Sequence, residues 1–331
     1  MSFDVISARC VTGWRRAAGC MTGIALLIAC SGGASEAETP TEPIAKSEVL
    51  ARFAPGTFLE NLEIAPNGDV VFTNYTAKRL EIWRPGGGLQ TPIDLGAHAM
   101  NVVARDSEFV VLAHRGSMAA PTADGLGNVV MIVAYDGEIR ETIDLPQAAA
   151  LNGMALLSQT VALLGDSATG RVWQVNLESD LASVWFEDPS LAPEDPAGFG
   201  LNGLQIHDGA LYLANSADAS LSRIDIGADS APSGDLERVA SLPGIDDFKY
   251  AADGRLFFAP HTDVVLVRAR DGSVEPVLDE HVDGATAVEL TPDGTTLYAL
   301  GTGGVFIGGT GEATLVRLPL TAIETDKETG Q

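Results

Sequence analysis

Short apolar runs separated by polar, glycine-bearing turns recur along the chain, a pattern that predicts many short strands rather than long helices. One phrase returns again and again. Its first copy reads Leu59-Glu60-Asn61-Leu62-Glu63-Ile64, then the turn Pro66-Asn67-Gly68-Asp69, then Val70-Val71-Phe72. Further copies begin at Leu151-Asn152-Gly153, Leu201-Asn202-Gly203, Ile245-Asp246-Asp247 and Ala285-Thr286-Ala287, with a weaker one at Ala99-Met100-Asn101. The fifth and sixth copies carry the turns Ala252-Asp253-Gly254 and Pro292-Asp293-Gly294. Asn-Gly and Asp-Gly between apolar runs predict hairpins on type I′ turns, whose two central residues need positive φ.

With Glu60, Met100, Asn152, Asn202, Asp246 and Thr286 taken as equivalent, the repeat spans 40 to 52 residues. That is the length of a four-stranded propeller blade. The sixth copy shows three strands, the last at 314–318, while a spare strand at 48–53 precedes the first copy. The pattern therefore predicts an all-β, six-bladed β-propeller over residues 47–322. Its ring is expected to close through the N-terminal strand joining the last blade, which removes an open edge. Unpaired ends argue against the alternative, an open solenoid.

The first residues read as an address. Arg15 and Arg16 precede a nine-residue apolar run, Met21 to Ala29, too short for a bilayer core that needs about 20 residues. The run closes on Leu27-Ile28-Ala29-Cys30, which resembles the bacterial lipobox. That resemblance implies cleavage before Cys30, lipidation of its thiol, and a protein facing the periplasm from a membrane anchor, with the outer membrane the expected one. The domain reading is then a signal peptide at 1–29, an acidic tether at 30–46, the propeller, and a disordered tail at 323–331. A plain secretory signal is the other reading of the same run.

All three cysteines (Cys10, Cys20, Cys30) lie at or before the lipobox, so the body has no disulfide and no thiol nucleophile or ligand. The formal net charge of −25 excludes a nonspecific grip on nucleic acid, which needs cationic side chains. It suits solubility and a monomer, or an affinity for divalent cations.

The equivalent positions separate those readings. The first strand of each blade lines the tunnel, so Glu60, Met100, Asn152, Asn202, Asp246 and Thr286 form one ring at a mouth. Two carboxylates and two amides converging on an axis match the hard oxygen donors that calcium takes. The other reading is that these residues cap strand starts and bind water. Loops on the same face bring Tyr75, His114, Asp166, Asn215 and His261 to the mouth as substrate contacts. His114 and His261 are the acid or base candidates.

At these residues the chain resembles the superfamily of senescence marker protein (regucalcin), gluconolactonase and diisopropyl fluorophosphatase. The resemblance implies that Glu60, Asn152, Asn202 and Asp246 hold a catalytic calcium or another divalent cation, with Asp246 as base or nucleophile. It implies a hydrolase of a lactone or related ester. Two positions depart from it: Ala150 stands where sugar-lactone hydrolases often place arginine, and Met100 is apolar, so both point to a less polar substrate. A non-catalytic envelope propeller with a structural calcium, binding a ligand or protein partner, is the alternative.

Overall fold

A computed structural model describes residues 46–118, 125–195 and 198–320 of the chain. The expected signal peptide, Cys30, nearly all of the tether and the expected tail lie outside those residues. Six antiparallel sheets form a six-bladed β-propeller with almost no helix. Blades two to six have four strands; in blade one the fourth is broken into Gly88–Leu89 and Ile93–Asp94. The inner strands are Leu59–Ile64, His98–Ala104, Leu151–Ser158, Leu201–His207, Phe248–Tyr250 and Ala285–Leu290, and each meets the inner strand on either side. The spare N-terminal strand, Glu48–Phe53, pairs antiparallel with Ala313–Pro319 and completes blade six.

Burial explains why these segments form strands. Inner and middle strands are covered on both faces by neighbouring blades, so a strand such as Asn128–Ala134 is buried at every residue. Outer strands such as Ile139–Asp144 leave most residues in solvent and read as polar.

The hairpin turns differ from the type I′ expectation. Gly68, Gly254 and Gly294 have φ of 84°, 84° and 68°, whereas Asn67, Asp253 and Asp293 stay in the ordinary negative region. The Gly68 N–H donates to Ala65 O (2.8 Å) and the Ala65 N–H to Asp69 O (2.9 Å), a type I turn followed by a left-handed glycine. The side chains decide it. Asn67 Oδ1 accepts the Asp69 N–H (3.0 Å), and Asp253 and Asp293 accept the N–H two residues on in the same way.

A second departure aims the ring. Leu59 pairs with Asn74 and Leu62 with Phe72, so Glu60 and Asn61 stand opposite the single Thr73 in a β-bulge. The register slips at the equivalent place in blades two, three, four and six, at Met100, Asn152, Asn202 and Thr286. In blade five the regular strand starts only at Phe248, later than the sequence suggested. There Asp246 N–H donates to Ala259 O (2.8 Å) and Ala259 N–H to Asp247 O (3.0 Å). Bulges take a residue off the ladder and re-aim its side chain. Here they do so at every ring position.

Candidate metal centre

Each of the four expected ligands is held by its neighbour blade. The carbonyl just before Glu60, that of Leu59, accepts from Thr286 Oγ1 (2.8 Å) of blade six. The carbonyl before Asn152, that of Leu151, accepts from His114 Nε2 (2.8 Å) of blade two. Leu201 O, before Asn202, accepts from Ser167 Oγ, and Ile245 O, before Asp246, accepts from Ser216 Oγ (2.7 Å). Ser216 Oγ also accepts from Asn202 Nδ2 (3.0 Å), which orients that amide. Glycines set the spacing. A Cβ on Gly153 would stand 2.0 Å from Asn202 O, and one on Gly203 2.7 Å from Asp246 O. Neither has positive φ, so glycine is needed for close approach of the inner strands.

The four side chains share one environment. Burial, then the charges of Asp246 and Asp247, push the Glu60 carboxyl well above its ordinary range, and the Asn152 amide partly offsets this. Burial likewise raises the Asp246 carboxyl, against the lowering effect of His261 and of the Asn202 amide. His261 Nε2 lies 3.2 Å from Asp246 Oδ2, an ion-pair distance whose angles fall short of a hydrogen bond. Among the described residues, six buried side-chain N or O atoms lack a hydrogen-bond partner, and four of them are here: Glu60 Oε2, both Asp246 oxygens and His261 Nδ1. Buried polar atoms are ordinarily satisfied, so such a concentration asks for a ligand. No group of three His, Cys, Asp or Glu comes together among the described residues. A cation here would rest on two carboxylates and two amide oxygens, a hard set suited to calcium.

The other expected contacts separate into two kinds. His261 reaches Asp246 and adopts φ of 57°, a strained backbone for a residue other than glycine. Tyr75 Oη accepts the Met118 N–H (2.9 Å) and bonds His114 Nδ1 (3.2 Å). With both nitrogens engaged and burial pushing its pKa down to about 4, His114 is a neutral tie between blades. Asp166 accepts from the N–H groups of Ala149, Ala150 and Ala168, and Asn215 is tied to Ser190 O, Leu191 O and the Asp218 N–H. Both shape loops. Met100 is buried beside Phe58 and Tyr75, and Ala150 is half-buried at the entrance of blade three. The blade-two loop that follows His114 runs partly through residues 119–124, outside the described set.

Three solved structures share this arrangement of blades. A luciferin-regenerating enzyme superposes with a TM-score of 0.64 at 13% identity, over 83% of this chain and 95% of its own. A gluconolactonase from Xanthomonas campestris gives 0.62 at 16%, over 83% and 90%. Regucalcin from Agrobacterium tumefaciens, described as a calcium-binding protein, gives 0.60 at 15%, over 82% and 94%. In fold, a six-bladed propeller, the chain is similar to these three proteins. No protein-family model and no curated protein sequence matches it, so the likeness lies in the fold.

On that six-bladed frame a second ring lies three residues beyond the first, at Glu63, Val103, Ala155, Gln205, Lys249 and Glu289. Four of the six copies print it as a polar residue between two apolar ones, as in Leu62-Glu63-Ile64 and Val288-Glu289-Leu290. Lys249 Nζ pairs with Glu289 Oε2 (2.7 Å), and Asn61 Nδ2 donates to Asp247 Oδ2 (3.2 Å), around a hollow of about 50 Å³. Burial, then Glu289, raises Glu63 to about 8, with Lys249 acting in the opposite direction. The folded state therefore keeps a proton that the unfolded chain releases near pH 4.5. The stability this group lends is complete below about pH 4.5 and is lost as pH rises through about 8. In chelator, the melting temperature should fall across that window, and Glu63→Gln should flatten the fall. An unaltered slope in the variant would remove Glu63 as its source.

Proposed function

We propose that this propeller is a calcium-dependent hydrolase of a lactone or related ester, working at the mouth that carries Glu60 and Asp246. The observation supporting this is the set of unpartnered buried carboxylate oxygens on Glu60 and Asp246, flanked by the amides of Asn152 and Asn202. Those four residues would hold the cation. When bound, calcium supplies Lewis-acid polarisation of the substrate carbonyl. Asp246 takes a proton from attacking water at its carboxylate, and Glu60 balances charge. His261, 3.2 Å from Asp246, positions that carboxylate. Three similar folds, two of them enzymes by name and the third a calcium-binding protein, agree with this reading.

The test is a screen of purified protein against lactones, aryl esters and phosphotriesters, with calcium and with chelator. Turnover lost in chelator and restored by calcium supports the proposal; absence of turnover on every class, with calcium bound, removes it. A second reading keeps the cation as a structural pin in a non-catalytic propeller. Burial favours that reading, since Glu60, Asn152, Asn202 and Asp246 are only 5, 8, 4 and 1% exposed. A hollow of about 690 Å³ also lies elsewhere, beside Pro189, Glu194 and Arg238. For location, we propose the lipid-anchored envelope site that the Cys30 motif suggests, which cell fractionation of Cys30→Ser tests.

A further inference from the structure

Four rings form an arc over the mouth. Tyr75, whose phenol feels the Glu60 charge, lies 5.2 Å from Phe58 between ring centroids. Phe58 lies 4.7 Å from Phe306, edge to face, and Phe306 lies 6.1 Å from His261, which touches Asp246. The arc thus runs from one orphaned carboxylate to the other, along the side contributed by blades one, six and five. On the opposite side stand the amides of Asn152 and Asn202.

Phe306 is the unusual member, since 54% of it is exposed. The other exposed large hydrophobics are single residues with no ring contact to the two carboxylates, and scattered exposure of that kind is ordinary. Phe306 is also firmly placed. It sits in a 3₁₀ turn, Val305–Ile307, between left-handed Gly304 and Gly308. Around it the chain is knit by Gly309 N–H to Gly304 O (2.7 Å), Gly311 N–H to Gly303 O (3.0 Å) and Gly304 N–H to Asp283 O (3.1 Å). A Cβ on Gly303 would lie 2.2 Å from Gly311 O, so the loop is too compact for any larger residue there. A tight glycine pedestal is holding an aromatic ring half in water, beside the His261 that pairs with Asp246.

We infer that this arc is the wall for an apolar group of the substrate, and that Phe306 determines specificity for lactones or esters bearing an alkyl or aryl substituent. The inference rests on the hydrolase reading for the position of the carbonyl, at Glu60 and Asp246. The substituent then extends along the arc and covers the open face of Phe306, removing apolar surface from water. The polar hydroxyls of a sugar lactone would lie against the exposed ring of Phe306 and lose their hydrogen bonds to water, which disfavours that class.

The test uses γ-lactams of increasing alkyl chain, which resist hydrolysis, titrated by calorimetry into the protein with calcium present; the matching γ-lactones are assayed for turnover. Affinity for the lactams is expected to rise with chain length in the wild type. Phe306→Ala is expected to weaken the longest by about tenfold while leaving the shortest and calcium itself unaffected, and Phe306→Leu to keep most of the gain. Affinity independent of chain length, no lactam binding at all, or an unchanged slope in Phe306→Ala would each overturn the inference. Chain-dependent lactam binding without turnover of any lactone, aryl ester or phosphotriester leaves the apolar wall standing and removes the hydrolase reading, so the two fail separately.

Discussion

Asp246→Asn is expected to fold normally, to keep measurable calcium affinity, and to lose about 10²- to 10⁴-fold in turnover on whichever lactone or ester is hydrolysed. The substitution preserves an oxygen donor and the side-chain volume but removes the group that takes the proton, and losses of that size are typical of a positioned base. The backbone around residue 246 does not depend on the carboxylate. Its N–H is bound to Ala259 O, its carbonyl accepts the Gly203 N–H at 2.9 Å, and the preceding carbonyl is held by Ser216. Steady-state kinetics over a range of calcium concentrations is the measurement. If saturating calcium restores full turnover, Asp246 is a ligand alone and the base lies elsewhere.

Gly153→Ala should have the largest effect on the fold. Its Cβ would meet Asn202 O at 2.0 Å and Leu204 Cδ1 at 2.7 Å, and the first of these is backbone. Blades three and four must part, which overpacking data put at about 1–3 kcal/mol. At roughly 2–4 °C per kcal/mol for domains of 150–250 residues, that is several degrees of melting temperature. Because Asn202 moves with the strand, the rise in melting temperature on adding calcium should shrink as well. Thermal melts with and without calcium read both effects, and an alanine variant that melts like the wild type would mean the strands do not need to approach so closely.

The blade count and the closing strand were legible because each is a matter of period. Six copies of one phrase fix six blades, and a three-stranded last copy with a spare strand at 48–53 leaves one way to close them. What period does not carry is the local backbone. The bulges at Glu60-Asn61 and Asn152-Gly153 need an extra residue on one strand, and nothing in the phrase marks a residue as unpaired. Gly153 and Gly203 fall in the repeated strand phrase, and only the fold shows that they stand there for closeness to the next blade. His114, Asp166 and Asn215 read as substrate contacts, but a sequence does not show which polar atoms the backbone will claim. Phe306 was passed over because an isolated aromatic among glycines has no periodic partner until the ring brings Phe58 and His261 beside it.

The closing strand also sets the order in which the molecule can be finished. Glu48–Phe53 is synthesised well before its partner Ala313–Pro319, the Glu48–Arg317 contact spanning 269 residues. Until that partner exists, blade six offers an open edge able to pair with any extended chain. Pairing over so long a separation is slow to form, so the newly made protein passes through a lengthy unclosed stage. A chain that stops short of Ala313 therefore forfeits closure of the whole ring rather than one strand. Late truncations should behave as lesions of the entire fold, cleared by proteases, although every residue of the mouth at Glu60, Asn152, Asn202 and Asp246 has already been made.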